Sequence, residues 1–100
     1  MGKLVYGNGD LEIDIDDRTL AHLQIVIVAK LRRNEAFLLN WTNSPAVGDG
    51  RSSIWLQQAV PLYFTFDSAE NQPINRNWLE VLTVAASSAG GLRLVEEPTD

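Results

Sequence analysis

Residues 11–34 read LEIDIDDRTLAHLQIVIVAKLRRN, and two patterns within this stretch decide the fold. Up to residue 16, every second side chain is apolar and the side chains between are acidic, which predicts a strand with one face on the core and the other in water. Farther along, the apolar spacing changes to that of one helix face, made of Leu20, Leu23, Ile27 and Leu31. The stretch therefore predicts a strand that leads directly into a helix.

The predicted helix is apolar around most of its circumference. Asp16 or Asp17 is a suitable N-cap, and the helix is expected to end near Asn34. The β-branched run at 25–28 also suits a strand, but about four turns of chain without a breaker favour a helix. A second apolar side lies off the leucine stripe and consists of Ala21, Ile25 and Val28. Either another element of the same chain covers this side or a partner covers it.

The rest of the chain predicts a single α+β domain over residues 1–100. Further strands are expected at 3–6, 37–41, 51–57, 60–66 and 92–95. A second helix is expected to start from Asn75 as its N-cap and to stop at Gly90-Gly91, before a frayed tail at 96–100. The order ββαβββαβ favours an antiparallel or mixed sheet with the helices packed on one face, and a β-grasp-like arrangement is the first candidate.

The composition excludes several classes of protein. The 100 residues include 8 basic and 13 acidic side chains, for a net charge of −5. Without cysteine the chain forms no disulfide, thiolate metal site or thiol nucleophile. No apolar run reaches the roughly 18 residues of a membrane span, and Gly and Asn interrupt the N-terminus too early for a signal peptide. We therefore expect a cytoplasmic protein that neither enters a membrane nor holds a cofactor.

Several segments together resemble a known family. They are MGKLVYG at 1–7, DDRTLAHL at 16–23, KLRR at 30–33, FLLNW at 37–41, DGRSSIWL at 49–56, INRNW at 74–78 and GLRLV at 91–95. Over nearly its whole length the chain is similar to a family of short, uncharacterised actinobacterial proteins whose members often carry the label "ATP-dependent DNA ligase". The resemblance implies that the chain is related to this family, and it assigns no functional residue. The chain departs from the family pattern at Asn34, where Gly is expected, and at Gln57, where His is expected.

The residues do not support ligase activity. A nucleotidyl-transferring ligase needs a lysine nucleophile two positions before an Asp-Gly pair, and an arginine two positions after the glycine. In this chain Val47 stands at the lysine position before Asp49-Gly50, and Arg51 follows the glycine directly. Valine forms no covalent nucleotide adduct, so we expect no ligase chemistry.

Three further features have both a functional and a structural interpretation. The row Glu12, Asp14 and Asp16 could bind a divalent cation, but alternate strand residues lie about 6.6–7 Å apart, which favours a solvated face instead. His22, the single histidine, points away from the leucine stripe and is expected to be partly exposed. The tryptophans could stack on nucleic-acid bases, although their periodicity is typical of a core, and one of them could be exposed.

The predicted function is that of a non-catalytic interaction or oligomerisation module. Its partner would be another protein or a second copy, as in a homodimer, and the candidate contact residues are Arg18, Arg32, Arg33, Arg51 and Val28. The alternative is an accessory nucleic-acid-binding protein that uses the arginine-rich end of the first helix. A pI near 4.7 disfavours nucleic acid, because such binding depends on neutralising phosphates. No catalytic, metal or cofactor residue is predicted.

Overall fold

The computed structural model describes residues 1–42, 48 and 50–98. Within them the chain forms six strands and two helices in the order ββαβββαβ. The strands are β1 (Gly2–Tyr6), β2 (Leu11–Ile15), β3 (Phe37–Thr42), β4 (Arg51–Leu56), β5 (Leu62–Thr65) and β6 (Leu92–Arg93). The helices are α1 (Asp17–Arg32) and α2 (Arg76–Ala86). The predicted α+β class and the predicted order of elements are confirmed.

The first sheet has the order β2-β1-β5 and is antiparallel throughout. In the turn between β1 and β2, Gly7 and Gly9 take positive φ angles of 70° and 94°, as the glycine-rich turn predicts. Leu4 lies between Ile13 and Phe64 in the register, so all three side chains point to the same face. This inner face supplies one wall of the core.

The second sheet has the order β4-β3-β6 and is mixed. Strand β3 runs antiparallel to β4 and parallel to β6, and Leu39 lies between Ile54 and Leu92 on the inner face. Gly91 leads the chain into β6 with a φ of 86°. A Cβ at this position would lie 2.6 Å from the Leu38 carbonyl oxygen, so a side chain at residue 91 would clash with β3.

The strands thus form two sheets and not the single, β-grasp-like sheet that the sequence predicts. In the part of the chain that the structure describes, no strand ladder joins one sheet to the other. Residues 57–61 carry the chain from β4 across to β5, which pairs with β1. The Gly7 N–H donates to the Pro61 carbonyl at 3.0 Å and fixes this crossing. The pairing covers an edge of β1 that would otherwise be open.

Helix α1 begins and ends close to where its sequence predicts. The Asp16 carboxylate caps it by accepting hydrogen bonds from the Thr19 N–H at 3.1 Å and the Thr19 hydroxyl at 2.7 Å. At the other end Asn34 has a φ of 65°, and the N–H groups of Asn34 and Glu35 donate to the carbonyls of Leu31 and Lys30, both at 3.0 Å. This is a Schellman motif, in which glycine is the preferred residue at position 34 and asparagine the next.

The core lies between the two sheets and the two helices. Helix α1 packs on β1, α2 packs on β3 and β6, and the helices pack against each other. Asn75 caps α2 as predicted, by accepting from the Trp78 N–H at 3.3 Å, but the helix ends at Ala86, before Gly90-Gly91. The fully buried aliphatic side chains are Leu4, Leu20, Leu23, Ile27, Leu39, Leu56, Leu82 and Leu92.

His22 is fully buried between the helices, so the prediction of a partly exposed side chain is wrong. Its Nδ1 lies 2.8 Å from the Arg18 carbonyl oxygen, and its Nε2 lies 2.9 Å from the backbone nitrogen of Asn75. A carbonyl accepts and an N–H donates, so the contacts define a neutral ring with its hydrogen on Nδ1. The ring also stacks on Trp78, with the centroids 4.4 Å apart. The reason for the burial is that α2 covers this side of α1.

Glu97 and Pro98 contact the body of the protein, within the stretch at 96–100 where the sequence predicts a frayed tail; residues 99 and 100 lie outside the described range. The Glu97 carboxylate accepts two hydrogen bonds from Arg18, both at 2.6 Å, and one from the Asn75 amide at 2.9 Å. The hydrogen bonds from Arg18 and then Asn75 lower the pKa of Glu97 from 4.5 to about 2. The C-terminal segment is therefore held where α1 and α2 begin.

Candidate interaction surfaces

The four arginines that the sequence singles out lie on separate parts of the surface. Arg18 is at the start of α1, where the C-terminal segment occupies its guanidinium. Arg32 and Arg33 are at the other end of the helix, and Arg33 lies 3.5 Å from Glu35. Arg51 lies on β4, in the second sheet. Only Arg32 and Arg33 are therefore neighbours.

The basic end of α1 is partly neutralised. Lys30 is buried, and its Nζ donates to a Glu35 carboxylate oxygen at 3.3 Å and to the Ser87 hydroxyl at 3.0 Å. Glu35 also pairs with Arg33, so a single carboxylate faces two cations. The helix end is therefore a weaker anion site than its sequence suggests.

The second apolar side of α1 is only partly covered. Ile25 is 41 % exposed and Val28 is 38 % exposed, whereas the neighbouring Val26 is buried. Within one chain, neither the sheets nor α2 buries Val28. This residue stays a candidate for contact with a partner.

The outer face of the second sheet is uncovered and carries positive charge. Strand alternation and register bring together the side chains of this basic face, which are Leu38, Asn40, Thr42, Arg51, Ser53, Trp55 and Arg93. Arg51 lies opposite Thr42 and Arg93 lies opposite Asn40, so the two arginines flank β3 from its two sides. None of these described residues is acidic, which makes the local charge +2 in a chain of net charge −5.

Trp55 is the aromatic residue of the basic face, with 56 % of its surface exposed. Trp78 is buried and Trp41 is half-buried, so Trp55 is the exposed tryptophan that the sequence left unassigned. A signal for this exposure was present, because Trp55 is in phase with Arg51 and Ser53 along the strand. Arg93 is not among the contact residues predicted from the sequence, although it alternates with apolar neighbours in the same way.

A chain of hydrogen bonds crosses the basic face. The Ser53 hydroxyl donates to the Asn40 side-chain oxygen at 2.5 Å, and the Asn40 amide donates to the carbonyls of Gly90 at 3.0 Å and Leu92 at 3.3 Å. These contacts tie β4, β3 and the entry to β6 together across the sheet. These hydrogen bonds hold the polar side chains of the face in fixed positions.

A surface groove of about 470 Å³ starts beside Trp55 and passes the C-terminal ends of both helices. Its polar lining comes from Lys30, Arg33, Glu35, Ser87 and Ser88. The groove connects the basic face with the end of α1, where two of the sequence-selected arginines lie.

The outer face of the first sheet is also uncovered and carries negative charge. The register places on this acidic face the side chains of Lys3, Val5, Glu12, Asp14, Tyr63 and Thr65. Lys3 donates to a Glu12 oxygen at 2.9 Å, and this hydrogen bond raises the pKa of the lysine above its ordinary value. With two carboxylates and one ammonium, the net charge of the face is −1. Tyr63 is 65 % exposed, and sequence reasoning did not select it.

Among residues 1–42, 48 and 50–98, no group of three or more histidine or acidic side chains is placed to hold a metal ion. In the same residues, no helix is long and apolar enough to cross a membrane.

Together these features define a small α+β protein with two uncovered sheet faces of opposite charge. The chain belongs to the family described as "Domain of unknown function (DUF7882)", whose model matches residues 1–97. The family match supports the predicted membership of an uncharacterised family of small domains. No curated protein and no solved structure matches the chain significantly.

Proposed function

We propose that this protein is a non-catalytic interaction module that associates with protein surfaces, in the first place with further copies of itself. The observation that carries the proposal is the pair of uncovered sheet faces, each with an aromatic side chain more than half exposed, Trp55 at 56 % and Tyr63 at 65 %. Aromatic side chains buried at the centre of a contact contribute more binding energy than most other residues. Their exposure on two uncovered sheet faces is typical of surfaces that a partner covers.

The size of the faces supports weak association. Three strands spaced by about 4.8 Å and five residues at about 3.4 Å give a face of roughly 14 by 17 Å. A stable interface covers about 800 Å² on each partner, several times this footprint. We therefore expect a transient complex, with a dissociation constant between about 10 µM and 1 mM.

Sedimentation equilibrium over that range of concentration tests the proposal. The weight-average mass should rise above the chain mass of 11.1 kDa, and Trp55→Ser should move the rise to higher concentration. Val84→Ser is a matched control, because Val84 is exposed on α2, away from both faces. A mass that stays at 11.1 kDa up to about 1 mM contradicts the proposal.

A second candidate function, binding of single-stranded nucleic acid, is favoured by one observation. Trp55 offers a stacking surface on the same face as two arginines, Arg51 and Arg93, and this face has no described carboxylate. A labelled oligonucleotide should then bind in an anisotropy titration and weaken steeply with salt. Binding should fall in Arg51→Gln/Arg93→Gln and persist in Arg32→Gln/Arg33→Gln, which alters the helix end instead. No binding at low salt would exclude this function.

Two predictions from the sequence stay predictions. The first is the cytoplasmic location. The second is the absence of ligase chemistry, which depends on Val47 and Asp49; both lie in the part of the loop at 43–50 that falls outside the described residues. Labelled ATP should leave no covalent nucleotide on Lys3 or Lys30, the two lysines of the chain.

A further inference from the structure

We propose that the acidic face of one copy docks on the basic face of a second copy, so that copies join head to tail. This inference rests on the proposed self-association and names the two surfaces that meet. It follows from the placement of opposite charges on the uncovered faces of two sheets, each built from three strands.

The charges favour contact between unlike faces. The basic face carries +2 and the acidic face −1, and because Glu12 is already paired with Lys3, Asp14 is the acidic face's carboxylate that remains for a partner's arginine. Two basic faces in contact would bring four arginines together. Two acidic faces in contact would place the β2 carboxylates of one copy against those of the other. Like-charge contact of this kind is strongly unfavourable, so a two-fold contact between identical faces is disfavoured.

The order of side chains across the two faces also matches. On the acidic face the order across the strands is carboxylates on β2, Val5 and the Glu12-paired Lys3 on β1, and Tyr63 on β5. On the basic face it is Arg93 on β6, Leu38 on β3, and Arg51 with Trp55 on β4. With β2 set over β6 and β5 set over β4, carboxylates meet Arg93, Val5 meets Leu38, and Tyr63, which is level with Val5, meets Trp55, which is level with Leu38. Each of these three pairs is favourable.

The contact joins different surfaces, so it leaves an acidic face and a basic face free in every pair. Such a contact adds further copies until a ring closes or the concentration limits growth. The average mass of the unaltered protein should therefore exceed twice 11.1 kDa at high concentration. A two-fold dimer would instead reach twice the chain mass and rise no further.

Two variants that each disable one face test the arrangement. The first is Arg51→Gln/Arg93→Gln, and the second is Glu12→Gln/Asp14→Asn. Controls with the same change of net charge alter exposed residues elsewhere, namely Arg76→Glu for the first and Glu70→Gln/Glu80→Gln for the second. Circular dichroism establishes that all four fold, which is expected because every altered side chain is exposed.

Each face variant alone should associate at least about tenfold more weakly than the unaltered protein, and the controls should match the unaltered protein. An equimolar mixture of the two face variants should form a complex of twice the chain mass and nothing larger, because a single intact pair of faces remains. If the unaltered protein associates but either variant does so equally well, or the mixture stays monomeric, the head-to-tail contact is wrong and self-association stands. If the unaltered protein stays monomeric, both proposals fail.

Discussion

Replacing His22 by Phe should destabilise the protein by about 2–3 kcal/mol while leaving the aromatic stack on Trp78 in place. The substitution removes the Nε2 acceptor for the Asn75 N–H, which lies 2.9 Å away, and the Nδ1 donor to the Arg18 carbonyl, 2.8 Å away. A donor left without a partner costs about 1–3 kcal/mol and the loss of the second hydrogen bond adds at most about 1 kcal/mol, so the middle of the combined range is about 2–3 kcal/mol. The cost at the Arg18 carbonyl is smaller than that at the Asn75 N–H, because the carbonyl oxygen still accepts its hydrogen bond within the helix.

Thermal unfolding followed by circular dichroism measures this effect. For a domain of this size, about 1 kcal/mol shifts Tm by about 4–8 °C, so a fall of about 8–24 °C is expected. Hydrogen exchange gives a local readout, because the Asn75 amide should lose protection in His22→Phe. His22→Gln is the control, since its side-chain oxygen can accept from the same N–H, and it should lose less stability. A His22→Phe protein as stable as the original would refute the argument from buried hydrogen bonds.

Three further predictions concern the helix end, the C-terminal segment and the exposed side of α1. Asn34→Gly should raise Tm and Asn34→Ala should lower stability by about 1 kcal/mol, because residue 34 has a φ of 65°; equal Tm values would contradict this. The Tm difference between the unaltered protein and Glu97→Gln should be constant above pH 5 and shrink as pH falls from 4.5 towards 2. A lowered carboxyl pKa stabilises fully while the unfolded group is ionised, and this stabilisation is lost as the folded carboxylate becomes protonated; a difference independent of pH contradicts the prediction. Val28→Asp should leave the fold intact, since Val28 is 38 % exposed, and a cooperative unfolding curve checks it; loss of the fold would show that Val28 belongs to the core.

The local elements could be predicted because each has a short-range signal. The alternation at 11–15, the caps Asp16 and Asn75 and the glycines of the first turn all act within a few residues. Propensity and capping depend on neighbours in the chain, so one sequence suffices to read them.

The tertiary arrangement could not be predicted in the same way. The burial of His22 depends on an amide 53 positions away, and the pairing of β5 with β1 depends on how residues 57–61 cross between sheets. Neither of these two long-range contacts produces a periodic pattern in the sequence. The basic face was missed for the same reason, because Arg51 and Arg93 become neighbours of one strand only when β6 inserts beside β3.

The parallel pairing of β3 with β6 also imposes a delay on a chain that grows from its N-terminus. Leu39 and Leu92 are partners in the register, and 53 residues separate them. At about 5–20 residues per second, synthesis of that stretch takes about 3–11 s. During this interval the edge of β3 that later pairs with β6 has no neighbour. The nascent protein therefore passes through a period of several seconds in which an open strand edge can pair with another chain.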